Sequence, residues 1–150
     1  MRAIRIHGFG GIDTMRLDEI PRPVPGGGEV LVAVKAAGVG PWDRLMREGR
    51  ISQRLPVTLG SEVSGTVVAL GAGVGVFALG DAVYGATNDQ FVGGYAEYAL
   101  VEAGKVAPKP AALLRDGGGP SRRRRHGVAD AVRVRADRTG TSDAGARRGR

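Results

Sequence analysis

From Arg115 to Arg150 the chain contains no Leu, Ile, Met, Phe, Tyr or Trp. A segment without large apolar side chains has almost nothing to bury against the entropy of ordering its backbone. Any folded core must therefore be built from what precedes it, and the Arg- and Gly-rich remainder is expected to be disordered. The foldable part has the length of one domain and shows no internal repeat.

The same boundary divides the charge. The formal net charge is +7, from 22 Lys and Arg against 15 Asp and Glu. Residues 115–150 hold eleven of those basic residues, all Arg, and four of the acidic ones, which is the entire excess; residues 1–114 are formally neutral. A basic chain ordinarily points to nucleic acid or an anionic membrane, and the run Arg122 to Arg125 admits an electrostatic arm on a polyanion. That run lacks interleaved aromatics and Lys, so no specific nucleic acid is expected as partner, only nonspecific polyanion binding. The absence of Cys excludes disulfides, thiolate nucleophiles and Cys-containing zinc sites. Met1 to His7 is too short an apolar run for a signal peptide, and no apolar stretch has membrane-spanning length. The reading is a soluble, cytoplasmic protein with no membrane partner.

The first hundred or so residues alternate short β-branched runs with Gly and Pro punctuation, the pattern of a sandwich or barrel. Strands are expected at Arg2 to Ile6, Thr14 to Ile20, Glu29 to Ala36, Glu62 to Leu70, Ala82 to Tyr84, Tyr95 to Val101 and near Val106. The run Glu29-Val-Leu-Val-Ala-Val-Lys35 follows the turn signal Pro25-Gly-Gly-Gly28 and should lie near the middle of the sheet system. One helix is expected at Trp42 to Gly49, with Pro41 suited to its first turn and Gly49 to its stop. Gly71-Ala-Gly-Val-Gly75 looks like a nucleotide loop, but it lies between two strands instead of opening a helix and reads as a turn. His7 reads as a strand-end residue, since a metal ligand would need partners that are absent.

Five ordered blocks carry a family resemblance over roughly residues 1–113: Met1-Arg-Ala-Ile-Arg-Ile-His-Gly-Phe-Gly-Gly11, Pro23-Val-Pro-Gly-Gly-Gly-Glu-Val-Leu-Val32, Leu59-Gly-Ser-Glu-Val-Ser-Gly65, Val76-Phe-Ala-Leu-Gly-Asp-Ala-Val-Tyr-Gly85 and Gly93-Gly-Tyr-Ala-Glu-Tyr-Ala99. With Gly38-Val-Gly-Pro-Trp-Asp43, they resemble the zinc-independent, quinone-oxidoreductase-like branch of the medium-chain dehydrogenase/reductase superfamily. The resemblance implies a mainly β, GroES-like N-terminal catalytic domain over 1–113: a partly open β-barrel with one or two short helices that forms one wall of a cleft. The other wall would be a Rossmann-type domain that binds NADPH, which this chain does not contain. It also implies hydride transfer to a quinone, an enone or a similar conjugated carbonyl, in a family that is often homo-oligomeric. By itself the chain is then expected to be inactive and to bind no NADPH tightly. A stand-alone GroES-like binding module is the alternative.

Zinc-dependent relatives place a Cys in the block matching Val39 to Asp43 and a Gly-His-Glu where this chain reads Gly60-Ser61-Glu62, so no zinc is expected. Other quinone-reductase-like members often carry an Asn where Gly40 stands and a Tyr where Leu45 stands. By the resemblance, Asp43, Trp42 and Glu62 are the cleft candidates, and Gly40 and Trp42 the possible nicotinamide-side contacts. Each has a plainer reading. Asp43 suits a helix-start carboxylate, Trp42 suits packing, and Glu62 suits a solvated strand start. Tyr84, Tyr95 and Tyr98 read as core, Phe91 as core or a mobile loop contact, and Thr87 to Phe91 as a polar loop at the cleft mouth.

In the family, the segment after Lys109-Pro110 runs into an Ala-rich helix and then the first Rossmann strand. Read one base later, each new codon takes its first base from the second base of the present residue's codon and its third from the first base of the next, so that only its middle base is free. From Arg122 the shifted frame admits V-V-A-V-T, then A-W-Q, and at its end L-V-H-G-A-A, a family-like strand and the start of a glycine-rich loop. The expectation is a frameshift near residues 113 to 116, with 114–150 out of frame.

Overall fold

A computed structural model describes residues 1–110. The expected disorder, reading frame and polyanion binding of the tail lie outside the described residues.

Among the described residues, eight strands form two antiparallel sheets, accompanied by one α-helix. In chain order they are β1 (Arg2–Ile6), β2 (Met15–Glu19), β3 (Glu29–Ala37), α1 (Pro41–Arg47), β4 (Val57–Thr58), β5 (Glu62–Leu70), β6 (Ala82–Ala86), β7 (Tyr98–Glu102) and β8 (Val106–Pro108). Single 3-10 turns precede β2 and β8. The smaller sheet runs β2-β1-β4 and the larger β7-β3-β5-β6-β8. The two are not closed into a barrel. They are joined where Ala3 of β1 bridges Ala96, just before β7.

The larger sheet follows from its side chains. Along β5, Val63, Gly65 and Val67 face inward and alternate with less buried neighbours, as expected for a sheet with one face on the core. In β3, Val30, Leu31 and Val32 are all buried in succession. This strand is inner, hydrogen-bonded to β5 on one side and β7 on the other. The main core gathers Val30, Val32, Val63, Val67, Phe77, Val83, Ala99 and Val101. A second cluster of Ile6, Met46, Val57 and Leu59 sits under α1, with Tyr95 against it. Burying a side chain of this size stabilises by about 1.5–3 kcal/mol, so Met46, fully buried, is the main anchor of the short helix.

The β5–β6 connection at Gly71 to Gly75 is a turn packed against another turn. A Cβ on Gly71 would fall on the Gly26 carbonyl oxygen, which is why only glycine fits there. Tyr84 departs from the core reading, since it lies on the outward face of β6, 42% exposed beside fully buried Val83. Phe91, read as core or a loop contact, is 41% exposed on a loop. His7 pairs with Asp18 at 2.6 Å across the β1–β2 ladder.

Candidate functional site

Helix α1 begins at Pro41, whose missing amide hydrogen costs nothing in a first turn. Gly40 is its N-cap, in an extended conformation. Having no side chain, Gly40 cannot cap the helix, and Asp43 supplies the contact in reverse: its Oδ2 accepts the Gly40 amide at 2.9 Å. The other oxygen, Oδ1, accepts the Gly60 amide at 3.1 Å. Asp43 is only 5% exposed. Its buried charge is met by two amide donors and by the positive end of the helix. A single carboxylate thus holds the start of α1 against the turn Leu59 to Ser61.

Gly60 makes the close approach possible. Its φ of +96° lies in the left-handed region, and a Cβ there would stand 2.5 Å from the Tyr95 ring and 2.7 Å from the Tyr95 backbone nitrogen. Two backbone hydrogen bonds lock the contact, Tyr95 N–H to Leu59 O and Gly94 N–H to Gly60 O, both at 2.8 Å. The Tyr95 hydroxyl is buried and makes no hydrogen bond. Burial, and then the nearby Asp43 charge, push this phenol far above its ordinary range. It remains a proton donor at any physiological pH.

Asp43 and Tyr95 open onto a cavity of about 510 Å³, lined further by Ile4, Met15, Leu17 and Val39. Its lining is apolar with few polar groups, the usual character of a small-molecule site. Arg2 and Glu97 stand at its margin, paired through Nε and Oε1 at 3.0 Å, and Glu97 also accepts the Arg2 amide at 2.8 Å. These bonds to Arg2 hold the Glu97 carboxyl below the usual carboxylate range.

Of the residues singled out in the sequence, Gly40 and Asp43 line this cavity. Trp42 does not. It points outward from the first turn of α1, 44% exposed, and meets Phe91 edge to face with ring centroids 5.8 Å apart at 75°. Glu62 opens β5 in an exposed position, where its carboxylate lies over Gly38. Tyr95 belongs to the site although its sequence signal is slight: two glycines, Gly93 and Gly94, precede it and let the chain run close to Gly60. Among the described residues no group of three His, Cys, Asp or Glu side chains is placed to hold a metal ion. None of the helices among them is long and apolar enough to cross a membrane.

Residues 26–111 match the alcohol dehydrogenase GroES-like domain family. Quinone oxidoreductase of Homo sapiens is 40% identical over 116 residues, covering 75% of this chain and 35% of that protein. The crystal structure of Escherichia coli quinone oxidoreductase complexed with NADPH matches with a TM-score of 0.71 and 31% identity, over 75% of this chain and 34% of the other. Human synaptic vesicle membrane protein VAT-1 homolog-like protein matches with a TM-score of 0.71 and 34% identity, over 75% and 35%. The chain spans about a third of the length of these relatives. On this match the chain belongs to the alcohol dehydrogenase GroES-like domain family, and over that domain it is similar to quinone oxidoreductases.

Proposed function

We propose that residues 1–113 are the catalytic-domain wall of a zinc-independent, NADPH-dependent reductase acting on quinones, enones or similar conjugated carbonyls. The observation that supports this most is the Asp43 clamp. It fixes the first turn of α1, with Gly40 and Trp42, against the Gly60 turn at the mouth of an apolar cavity. The likeness to a quinone oxidoreductase solved with NADPH supports the choice of cofactor.

The residues present suit the nicotinamide end of that cofactor. Gly40 carries no side chain, and a Cβ there would have only the Asp43 carboxylate near it, at 3.9 Å, so a flat ring can approach the backbone closely. Trp42 beside it leaves much of its ring open. The glycine turn at Gly71 to Gly75 opens no helix and offers no pyrophosphate cradle. When bound, NADPH supplies the hydride. What this chain contributes is orientation and exclusion of water. Asp43 acts through the backbone it holds, since both its oxygens are occupied by amides. The Tyr95 side chain forms part of the cavity wall, and its buried hydroxyl stays protonated.

With no helix-opening glycine turn to cradle a pyrophosphate among the described residues, residues 1–110 bind NADPH only weakly by themselves, and micromolar affinity for NADPH would contradict this. Residues 114–150 are the out-of-frame continuation of the same gene. Resequencing across codons 113 to 116 tests that point: an intact frame with no family-like sequence one base over contradicts it. The catalytic role is tested by a chimera in which residues 1–110 replace the matching part of Escherichia coli quinone oxidoreductase. Quinone-dependent NADPH oxidation supports the reading. A folded chimera that binds NADPH and fails to oxidise it overturns the reading.

A further inference from the structure

We infer that Trp42 and Phe91 form an aromatic corner that selects flat, conjugated ring carbonyls over open-chain ones, with Phe91 as the specificity-determining residue. The inference rests on the reading of this wall as the carbonyl-binding half of a reductase.

Phe91 has a φ of 56°, and among the described residues it is the only non-glycine in the left-handed region. Glycine or asparagine ordinarily takes such a position, because a bulky side chain there is costly. Core packing does not account for the cost, because the ring is 41% exposed and belongs to neither buried cluster. Unfavourable backbone that persists in this way is held by its surroundings and is concentrated at functional sites.

The surroundings here are explicit. The Asn88 Oδ1 accepts the amides of Gln90 at 3.1 Å and Val92 at 3.3 Å, and the Asn88 Nδ2 donates to the Val92 carbonyl at 3.0 Å. The Gly93 amide ties the end of the loop to Thr58 O at 2.8 Å. The Gln53 Nε2 donates to the Gln90 carbonyl at 3.4 Å and lies 3.9 Å from the Met46 sulfur, joining the loop to α1 itself. Trp42 is fixed from the other side by Pro41 before it and the Asp43 clamp after it. Two rings at 75°, each half open, can engage one planar guest twice: by offset stacking on one and by an edge contact on the other. An open-chain enone offers too short a planar surface to meet both.

Trp42 is the only tryptophan, so its fluorescence reports on the corner, and the chain has no cysteine for a conjugated carbonyl to alkylate. The full chain is titrated with menadione and, separately, with the open-chain enone mesityl oxide, following Trp42 intensity and lifetime. Menadione is expected to quench saturably with the lifetime unchanged, and mesityl oxide to bind about tenfold more weakly or worse. Phe91→Gly deletes the ring while suiting the left-handed backbone, and is expected to weaken menadione about fivefold. Phe91→Tyr is expected to restore it. Quenching that never saturates, equal affinity for the two carbonyls, or a folded Phe91→Gly that binds menadione like the parent would overturn the corner. The chimera separates the two ideas. Saturable, Phe91-dependent quenching beside an inactive chimera removes only the reductase reading, and an active chimera with Phe91-independent quenching removes only the corner.

Discussion

The Asp43 carboxylate reaches across seventeen residues of sequence to accept the Gly60 amide at 3.1 Å, while its second oxygen holds the Gly40 amide of its own helix cap. The position of α1 over the small cluster is therefore set by one charged side chain. Asp43→Asn keeps one acceptor but turns an NH₂ group toward an amide donor. Urea unfolding is expected to show a loss of about 1–3 kcal/mol, with a larger loss for Asp43→Ala. A change below about 0.5 kcal/mol would be that of an ordinary surface site and would contradict the clamp.

Gly60 and Gly73 make a controlled pair, since both have positive φ but only Gly60 is crowded. Gly73→Ala meets nothing within 4 Å and is expected to cost about 1 kcal/mol, the conformational penalty alone. Gly60→Ala must also displace the Tyr95 backbone, and thermal unfolding is expected to show at least twice that loss. Equal losses would mean that the Tyr95 contact is loose.

Tyr95 is expected to ionise only as the protein unfolds. Its pKa is raised by folding, so the stability tied to its neutral form is complete below the ordinary phenol range and is lost as pH rises beyond it. Phenolate absorbance followed against pH should contain a late component that vanishes in Tyr95→Phe. Glu97 has the opposite sign. Its pKa is lowered by the bonds to Arg2, so its contribution is present above the unfolded carboxyl range near 4.5 and is lost as acid protonates it. Glu97→Gln should flatten the acid limb of the stability profile, and an unchanged limb would contradict the pairing.

Met46 is expected to be the costliest single truncation in α1. Met46→Ala removes its fully buried side chain from the cluster of Ile6, Val57 and Leu59 and should destabilise by about 2–5 kcal/mol in urea unfolding. Hydrogen exchange should rise first in residues 41–47, while amides of β3 and β5 remain protected.

Much of the fold was legible because its strands are β-branched runs bounded by Gly and Pro. β1 and β5 have the expected bounds, and β3 is an inner strand as its apolar run implied. Misses occurred where pairing depends on distant chain. β7 starts at Tyr98 and not at Tyr95, because Ala96 pairs with Ala3 of the other sheet. β4 is two residues long and exists only through its ladder with Arg5 and Ile6. In the site, the helix-start character of Asp43 was visible from Pro41 and Gly49 around it. Its bond to Gly60 was not, since no local signal connects residues seventeen apart. Nor does anything in the letter Phe announce a left-handed backbone at position 91, which the Asn88 side chain imposes.

The most direct measurement of the central claim is the steady-state rate of NADPH oxidation by the chimera carrying residues 1–110, with a quinone as acceptor. The account predicts quinone-dependent turnover, reduced by Asp43→Ala without loss of NADPH binding. A folded, NADPH-binding chimera with no quinone-dependent oxidation would contradict it.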